Sequence, residues 1–172
     1  MDIIVASLDR NMCVYIPLNV LFWISVCIYV FHIFEESVIP EVFVNKVKRL
    51  YWPNYSWEKF FGFNVLLLSL NISAVITYES IHGAWIIFPL ILMFERIFNG
   101  VYHVIETIVT RRHSSGLLTS VIVWILLYAL IRYSLLKGEI AYWNFFISLI
   151  SGLILTVIMI VPMVTGRYKN IK

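Results

Sequence analysis

Apolar runs long enough to cross a bilayer recur along this chain, each closed by charge, glycine or proline. They cover about residues 14–37, 60–78, 84–110, 117–136 and 142–164. A transmembrane helix needs roughly 20 apolar residues at about 1.5 Å rise each, so each run reads as one spanning helix. Pro40 closes the first run, Glu79 to Gly83 turn the chain after the second, Arg111 to Gly116 after the third, and Lys137-Gly138-Glu139 after the fourth. Between the first two runs, Lys46, Lys48, Arg49 and Lys59 interleave with Tyr51, Trp52, Tyr55 and Trp57, a mixture suited to the headgroup layer. No internal repeat or low-complexity tract is visible. The pattern predicts an all-α, polytopic transmembrane bundle of about five spans, forming a single integral membrane domain over residues 1–172.

Composition sharpens this. Of the 172 residues, 61% are hydrophobic and 13% charged, and the mean hydropathy is +0.88. The bilayer is therefore the expected solvent. The net charge of +3 comes from basic residues flanking the spans, where they report orientation and headgroup contact, so nucleic acid is not an expected partner. With the N-terminus outside, Lys46, Lys48, Arg49, Lys59, Arg111, Arg112, Arg167, Lys169 and Lys172 all fall on the cytosolic side. This asymmetry predicts an outer N-terminus and a cytosolic C-terminus. The first apolar run follows a mixed-charge start (Asp2, Asp9, Arg10) and has no small-x-small cleavage site, so it is expected to stay as a span. Cys13 and Cys27 lack CxxC spacing, which argues against a disulfide framework or a zinc knuckle. There is no GxSxG, phosphate loop or HExxH, so the best-defined serine-hydrolase, nucleotide and zincin readings lose their support.

Against this apolar background the polar residues are clustered. His32, Glu35 and Glu36 stand at i, i+3 and i+4, spacings that share one helical face. In the third run, Glu95, Arg96, Asn99, Tyr102, His103 and Glu106 recur every three or four residues and form one stripe. Both groups fall near the cytosolic ends of helices running in the same direction, so they are expected at similar depth. If the helices are neighbours, two histidines and up to four carboxylates share one cavity. Ionisable groups in a bilayer cost several kcal/mol unless paired, hydrated or bound to a cation. A bound divalent metal, zinc or iron, would supply that compensation. The plainer alternative is that Arg96 pairs with Glu95 or Asn99, while His32, Glu35 and Glu36 snorkel into the headgroups. His82 lies in the outer turn, away from the cluster. His113 follows two arginines and is a candidate headgroup or phosphate contact. Ser114, Ser115 and Gly116 open the fourth run, where backbone N–H groups either receive an anion or simply begin a helix.

Three segments, His32-Ile33-Phe34-Glu35-Glu36, Asn99-Gly100-Val101-Tyr102-His103 and Ser115-Gly116-Leu117-Leu118-Thr119, together resemble the HXXEE family of small bacterial membrane proteins. The resemblance spans most of the chain. That family is described by an HxxEE motif, an NxxxH motif and a Tyr-Ser/Asn-Pro-Gly turn, and is regarded as enzymatic without an assigned reaction. By position, His32, Glu35 and Glu36 match the first motif, Asn99 and His103 the second, and Gly116 with Thr119 the third. The chain departs from the family where the turn carries His113 and Ser115 in place of Tyr and Pro. It departs again where a Pro-Gly-Gly-Phe-like stretch reads Pro40-Glu41-Val42-Phe43.

The leading expectation is a metal-dependent enzyme of the bacterial cytoplasmic membrane. His32, Glu35, His103 and Glu106 are the expected ligands, Glu36 a general base or further ligand, and Asn99 the residue orienting substrate or His103. Arg96, His113, Gly116 and Thr119 are candidate substrate contacts. A hydrolase acting on a lipid or other apolar substrate at the cytosolic leaflet fits one metal and a spare carboxylate. A di-iron oxidoreductase fits the fuller inventory of two histidines and four carboxylates. A proton or cation relay, or an accessory membrane subunit with the stripe as interhelical glue, are the non-enzymatic alternatives.

Overall fold

The computed structural model describes residues 16–38 and 43–165. Within them the chain is helical: α1 (Leu18–Val38), α2 (Phe43–Leu50), α3 (Trp57–Ile81), a short 3-10 turn (Gly83–Ile86), α4 (Ile87–Thr110), α5 (Leu117–Lys137) and α6 (Tyr142–Thr165). Four segments are long and apolar enough to cross a membrane: α1, α3, the 3-10 turn with α4, and α6. In α5 the described apolar stretch, Leu117–Arg132, is shorter. Among the described residues the protein is thus an all-helical bundle with four candidate membrane spans plus one shorter apolar helix. The start of the expected first span, Pro40 and the basic tail lie outside the described residues.

Local chemistry sets the boundaries. Ser56 caps α3, its hydroxyl accepting from Lys59 N at 3.4 Å, and Glu58 sits in the first turn where the helix dipole favours an anion. This cap starts α3 three residues before the purely apolar run does. Pro89 falls in the first turn of α4, where an amide hydrogen would have no intrahelical partner. The interfacial segment contains α2, whose buried face is Phe43, Val44, Lys46 and Val47 while Lys48 and Arg49 stay exposed. Its apolar face forms a small core with Tyr55 and Phe60.

Helix α4 is central, packing on α6, α5 and α3, while α1 packs on α5 and α3. Gly152 permits the α4–α6 approach, since a Cβ there would lie 2.5 Å from Phe94 Cβ and 2.8 Å from the Ile91 carbonyl. Hydroxyl and indole donors join helices across the bundle: Thr156 Oγ1 to the Glu95 carbonyl at 3.3 Å, and Trp124 Nε1 to the Ile97 carbonyl at 3.1 Å. The bundle is divided along its axis. Leu21, Phe22, Leu90, Met93 and Leu130 build an apolar core at the end where α1 and α4 begin. The later turns of α1 and α4 instead bury His32, Glu35, Glu36, Glu95, Arg96, His103 and Glu106. Here the backbones of α1 and α4 stand apart and the two helices meet through these side chains.

Candidate metal centre

One turn of α1 separates His32 from Glu36, and one turn of α4 separates Asn99 from His103. The four side chains converge between the two helices. Glu36 Oε1 lies 3.6 Å from His32 Nε2 and 3.5 Å from His103 Nε2. One ligand atom from each of the three residues lies within 4.8 Å of the other two, and all three residues are buried. Asn99 Nδ2 stands 3.2 Å from His32 Nε2 and 3.3 Å from His103 Nε2, so each of its hydrogens can reach one ring. The rings meet edge-on with centroids 5.4 Å apart.

The opposite nitrogen of each ring is held by a hydroxyl, and each hydroxyl by a carboxylate. Thr119 Oγ1 donates to Glu35 Oε2 at 2.6 Å, and His32 Nδ1 lies 2.7 Å from that threonine hydroxyl, Thr119 Oγ1. Because the threonine hydrogen is committed to the carboxylate, Nδ1 must carry the histidine proton, and Nε2 turns its lone pair inward. The arrangement repeats at the second histidine. Ser114 Oγ donates to Glu106 Oε2 in a short hydrogen bond, and His103 Nδ1 donates to Ser114 Oγ at 2.9 Å. Glu106 is neutralised by Lys46, whose Nζ lies 2.7 Å from Oε2. Two parallel relays of imidazole, hydroxyl and carboxylate therefore aim two Nε2 lone pairs and the Glu36 carboxylate at one point.

Glu35 has a further duty. Its carboxylate accepts from the backbone N–H of Leu118 at 3.1 Å and of Thr119 at 3.0 Å, capping the N-terminus of α5 with a negative charge. The turn before that helix passes Gly116 directly against the rings. At φ +95, a Cβ there would sit 2.7 Å from His32 Cε1 and 2.8 Å from His103 Nε2, so only glycine fits in both conformation and space.

Beside the cluster a cavity of about 220 Å³ opens on the flank of the bundle between α3 and α6. Its walls are largely apolar, with Phe63 and Leu67 from α3 and Ile158 and Met159 from α6, and its polar end carries Glu36, Asn99 and Arg96. The Arg96 guanidinium is bound by Glu95 through Nε and through Nη2 (2.6 Å to Oε1), and it lies 4.4 Å from the centroid of the Tyr29 ring. Tyr29 in turn donates to Asn64 Oδ1 at 2.7 Å. Tyr55, also on the wall, lies in the loop before α3, and burial pushes its phenol above the ordinary range.

The structure divides the sequence candidates differently from their spacing. His32 and His103 do meet, as their matched depth suggested, but Glu36 completes the trio. Glu35 and Glu106, expected as ligands, stand behind the histidines on hydroxyl groups. The reason is helical geometry: Glu36 is one full turn from His32 and lies over it, whereas Glu35 is rotated towards α5. Thr119 and Gly116 touch the histidines rather than the apolar cavity, Arg96 lines that cavity, and His113 sits at an exposed rim 3.8 Å from Glu35. Of the two readings of the start of α5, an anion site or a plain helix start, neither describes it fully: the N–H groups of Leu118 and Thr119 are capped by the Glu35 carboxylate. Sequence reasoning missed Lys46 as the partner of Glu106 and Ser114 as the partner of His103. The signal for Lys46 was present, since it falls between Phe43 and Val47 on the apolar face of a short amphipathic helix.

Fold and site together define a polytopic helical membrane protein with a buried His-Glu-His cluster at one end of the bundle. Residues 23–131, more than half of the chain, match the family described as "Protein of unknown function with HXXEE motif", and the chain belongs to that family. No curated protein and no solved structure matches it.

Proposed function

We propose that His32, Glu36 and His103 hold a single divalent metal, and that the protein is a metal-dependent membrane enzyme, most simply a hydrolase of an amphiphilic, lipid-like substrate. The convergence of those three electron-pair donors carries the reading. Around a tetrahedral zinc with ligand bonds of about 2.0–2.1 Å, donor atoms stand roughly 3.3 Å apart, and the carboxylate oxygen lies at 3.5 and 3.6 Å from the two nitrogens. The donor set, two neutral imidazoles and one carboxylate, is that of hydrolytic zinc sites and also suits iron. When bound, such a metal polarises a carbonyl or phosphoryl oxygen and acidifies water.

The chain's own residues would do the rest. The hydroxyl relays fix both imidazole tautomers and ring orientations. The apolar walls between α3 and α6 would take the substrate tail from the bilayer, and Asn99, released from the two Nε2 atoms when these hold the metal, would offer its amide hydrogens to the reacting oxygen. Arg96 keeps guanidinium hydrogens beyond those given to Glu95, and these can steady a polar headgroup. The site's depth and the flanking basic residues favour the cytosolic leaflet of the bacterial cytoplasmic membrane, with the N-terminus outside. A di-iron centre asks for further free carboxylates, whereas Glu35, Glu95 and Glu106 are each engaged by other groups.

Elemental mass spectrometry of the detergent-purified protein tests the reading. Roughly one equivalent of zinc or iron is expected, lost when His32→Ala and His103→Ala are combined in protein that still folds. No stoichiometric metal in material purified without chelator would leave a proton relay or an accessory subunit as the better account.

A further inference from the structure

The charged groups around the cavity between α3 and α6 cancel one another. Arg96 is the one full cation among the described residues that line it, and Glu95 holds that guanidinium through Nε and Nη2. Behind His103, Lys46 is matched to Glu106 in the same way. Glu35 and Glu36 remain, and with neutral imidazoles a divalent metal at His32, Glu36 and His103 would balance those two carboxylates. No cation on the described wall is then left for an anionic head, and without metal the same carboxylates would repel one. A charge buried there without a partner is costly, so the chemistry of the wall calls for an uncharged head.

Size and one spare donor narrow the occupant further. The cavity's 220 Å³ lies below the roughly 300–1,000 Å³ of pockets that enclose a drug-sized ligand, so it has room for one hydrocarbon chain. Near its polar end, the Tyr55 ring is set by Phe43 and Trp52, with centroids 6.3 and 5.6 Å away, and the residue is 3% exposed. Its hydroxyl makes no hydrogen bond among the described residues. Yet the unpartnered side-chain atoms closed to water are Glu106 Oε1 and Ser115 Oγ, so the Tyr55 oxygen is open to water. Tyr55 lines this cavity and lies within electrostatic reach of the Glu36 carboxylate. Buried polar groups are nearly always partnered, and a phenol left free on the wall is a donor reserved for what enters.

We propose that the cavity takes one acyl chain of an uncharged lipid ester or amide, with the Tyr55 hydroxyl donating to an oxygen of its head. Monoacylglycerols and fatty amides belong to this class, whereas lysophosphatidate and phosphatidate carry a phosphate that the wall leaves unpaired. The inference rests on the hydrolase reading for the substrate's reaction, but binding itself needs no metal.

The test is photo-crosslinking of the full chain in phosphatidylcholine nanodiscs, metal-free and after incubation with zinc. The probes are a monoacylglycerol and a lysophosphatidate that bear the same diazirine-tagged chain, and labelled positions are read by peptide mass spectrometry. The monoacylglycerol should label Phe63, Leu67 or Met159 about tenfold more than the lysophosphatidate does, with or without zinc. Tyr55→Phe keeps the ring and removes only the free hydroxyl. Its unfolding midpoint and metal content should therefore hold while monoacylglycerol labelling falls roughly fivefold, as for the loss of one hydrogen bond. Equal or greater labelling by lysophosphatidate, no labelling within the cavity, unchanged labelling in Tyr55→Phe, or a lowered midpoint in that variant would each overturn the proposal. Metal content keeps the two readings apart. Selective labelling by the uncharged lipid in protein that binds no zinc supports the inference and removes the hydrolase, whereas zinc-binding protein labelled equally by both lipids keeps the metal centre and removes the inference.

Discussion

Glu35 and Glu36 are neighbours in the chain, yet the fold gives them separate duties, and replacing each by glutamine should pull those duties apart. Glu35 accepts three hydrogen bonds from α5, two at Oε2 (Thr119 N and Oγ1) and one at Oε1 (Leu118 N). In Glu35→Gln the best amide orientation keeps the carbonyl on Thr119 and turns its NH2 towards the Leu118 N–H. A backbone donor left unmet costs about 1–3 kcal/mol. Losing the charge at a helix N-terminus adds about 0.3–1 kcal/mol. The expected destabilisation is therefore about 1.3–4 kcal/mol. Because the Thr119 relay to His32 survives in weakened form, metal should be retained with affinity reduced by about 10–100-fold. Glu36 accepts from no backbone or hydroxyl donor among the described residues, and its neighbours are the two Nε2 atoms. Glu36→Gln removes a buried charge without breaking a hydrogen bond, so stability should be kept or raised while bound metal falls away. Unfolding midpoints and metal content, measured on the same two purified variants, decide it. If Glu36→Gln keeps its metal, or Glu35→Gln loses metal at unchanged stability, the division of roles drawn from the structure is wrong.

Three other substitutions probe the same site. Gly116→Ala places a methyl within 3 Å of both rings at a positive φ, so it should cost about 1–2 kcal/mol in backbone strain alone and strip the metal, as unfolding and elemental analysis would show. Lys46→Met leaves the Glu106 carboxylate buried without its cation and should destabilise the protein by about 3–5 kcal/mol, whereas adding Glu106→Gln should restore much of that in denaturation measurements. Ser114→Ala frees the His103 tautomer and should lower metal affinity by about 10–100-fold with a smaller effect on unfolding, readable by competition with a metal-sensitive dye.

The spans were legible because a bilayer imposes a length and a polarity that no other solvent imposes, and the long apolar runs carry both. The polar stripe was legible for the same reason: charges within such runs stand out, and spacings of three and four place them on one face. The interfacial character of the stretch that holds α2 was also readable, but the burial of Lys46 against Glu106 was not, although its place between Phe43 and Val47 carried the signal. What spacing left open was the choice among carboxylates. His32 shares a face with both Glu35 and Glu36, and only the rotation of α1 against α5 decides which one turns to His103.

By itself, then, the sequence determined a helical membrane protein with His32 and His103 at one depth, since helix length and periodicity depend only on neighbours along the chain. The tertiary structure decided that Glu36 joins the histidines while Glu35 caps α5, that Ser114 and Thr119 orient the rings, and that Gly116 must lack a side chain. Each of those outcomes depends on how one helix is rotated and set against another, and residues distant in sequence, such as Lys46 and Glu106 or Glu35 and Thr119, find each other only once the bundle has closed.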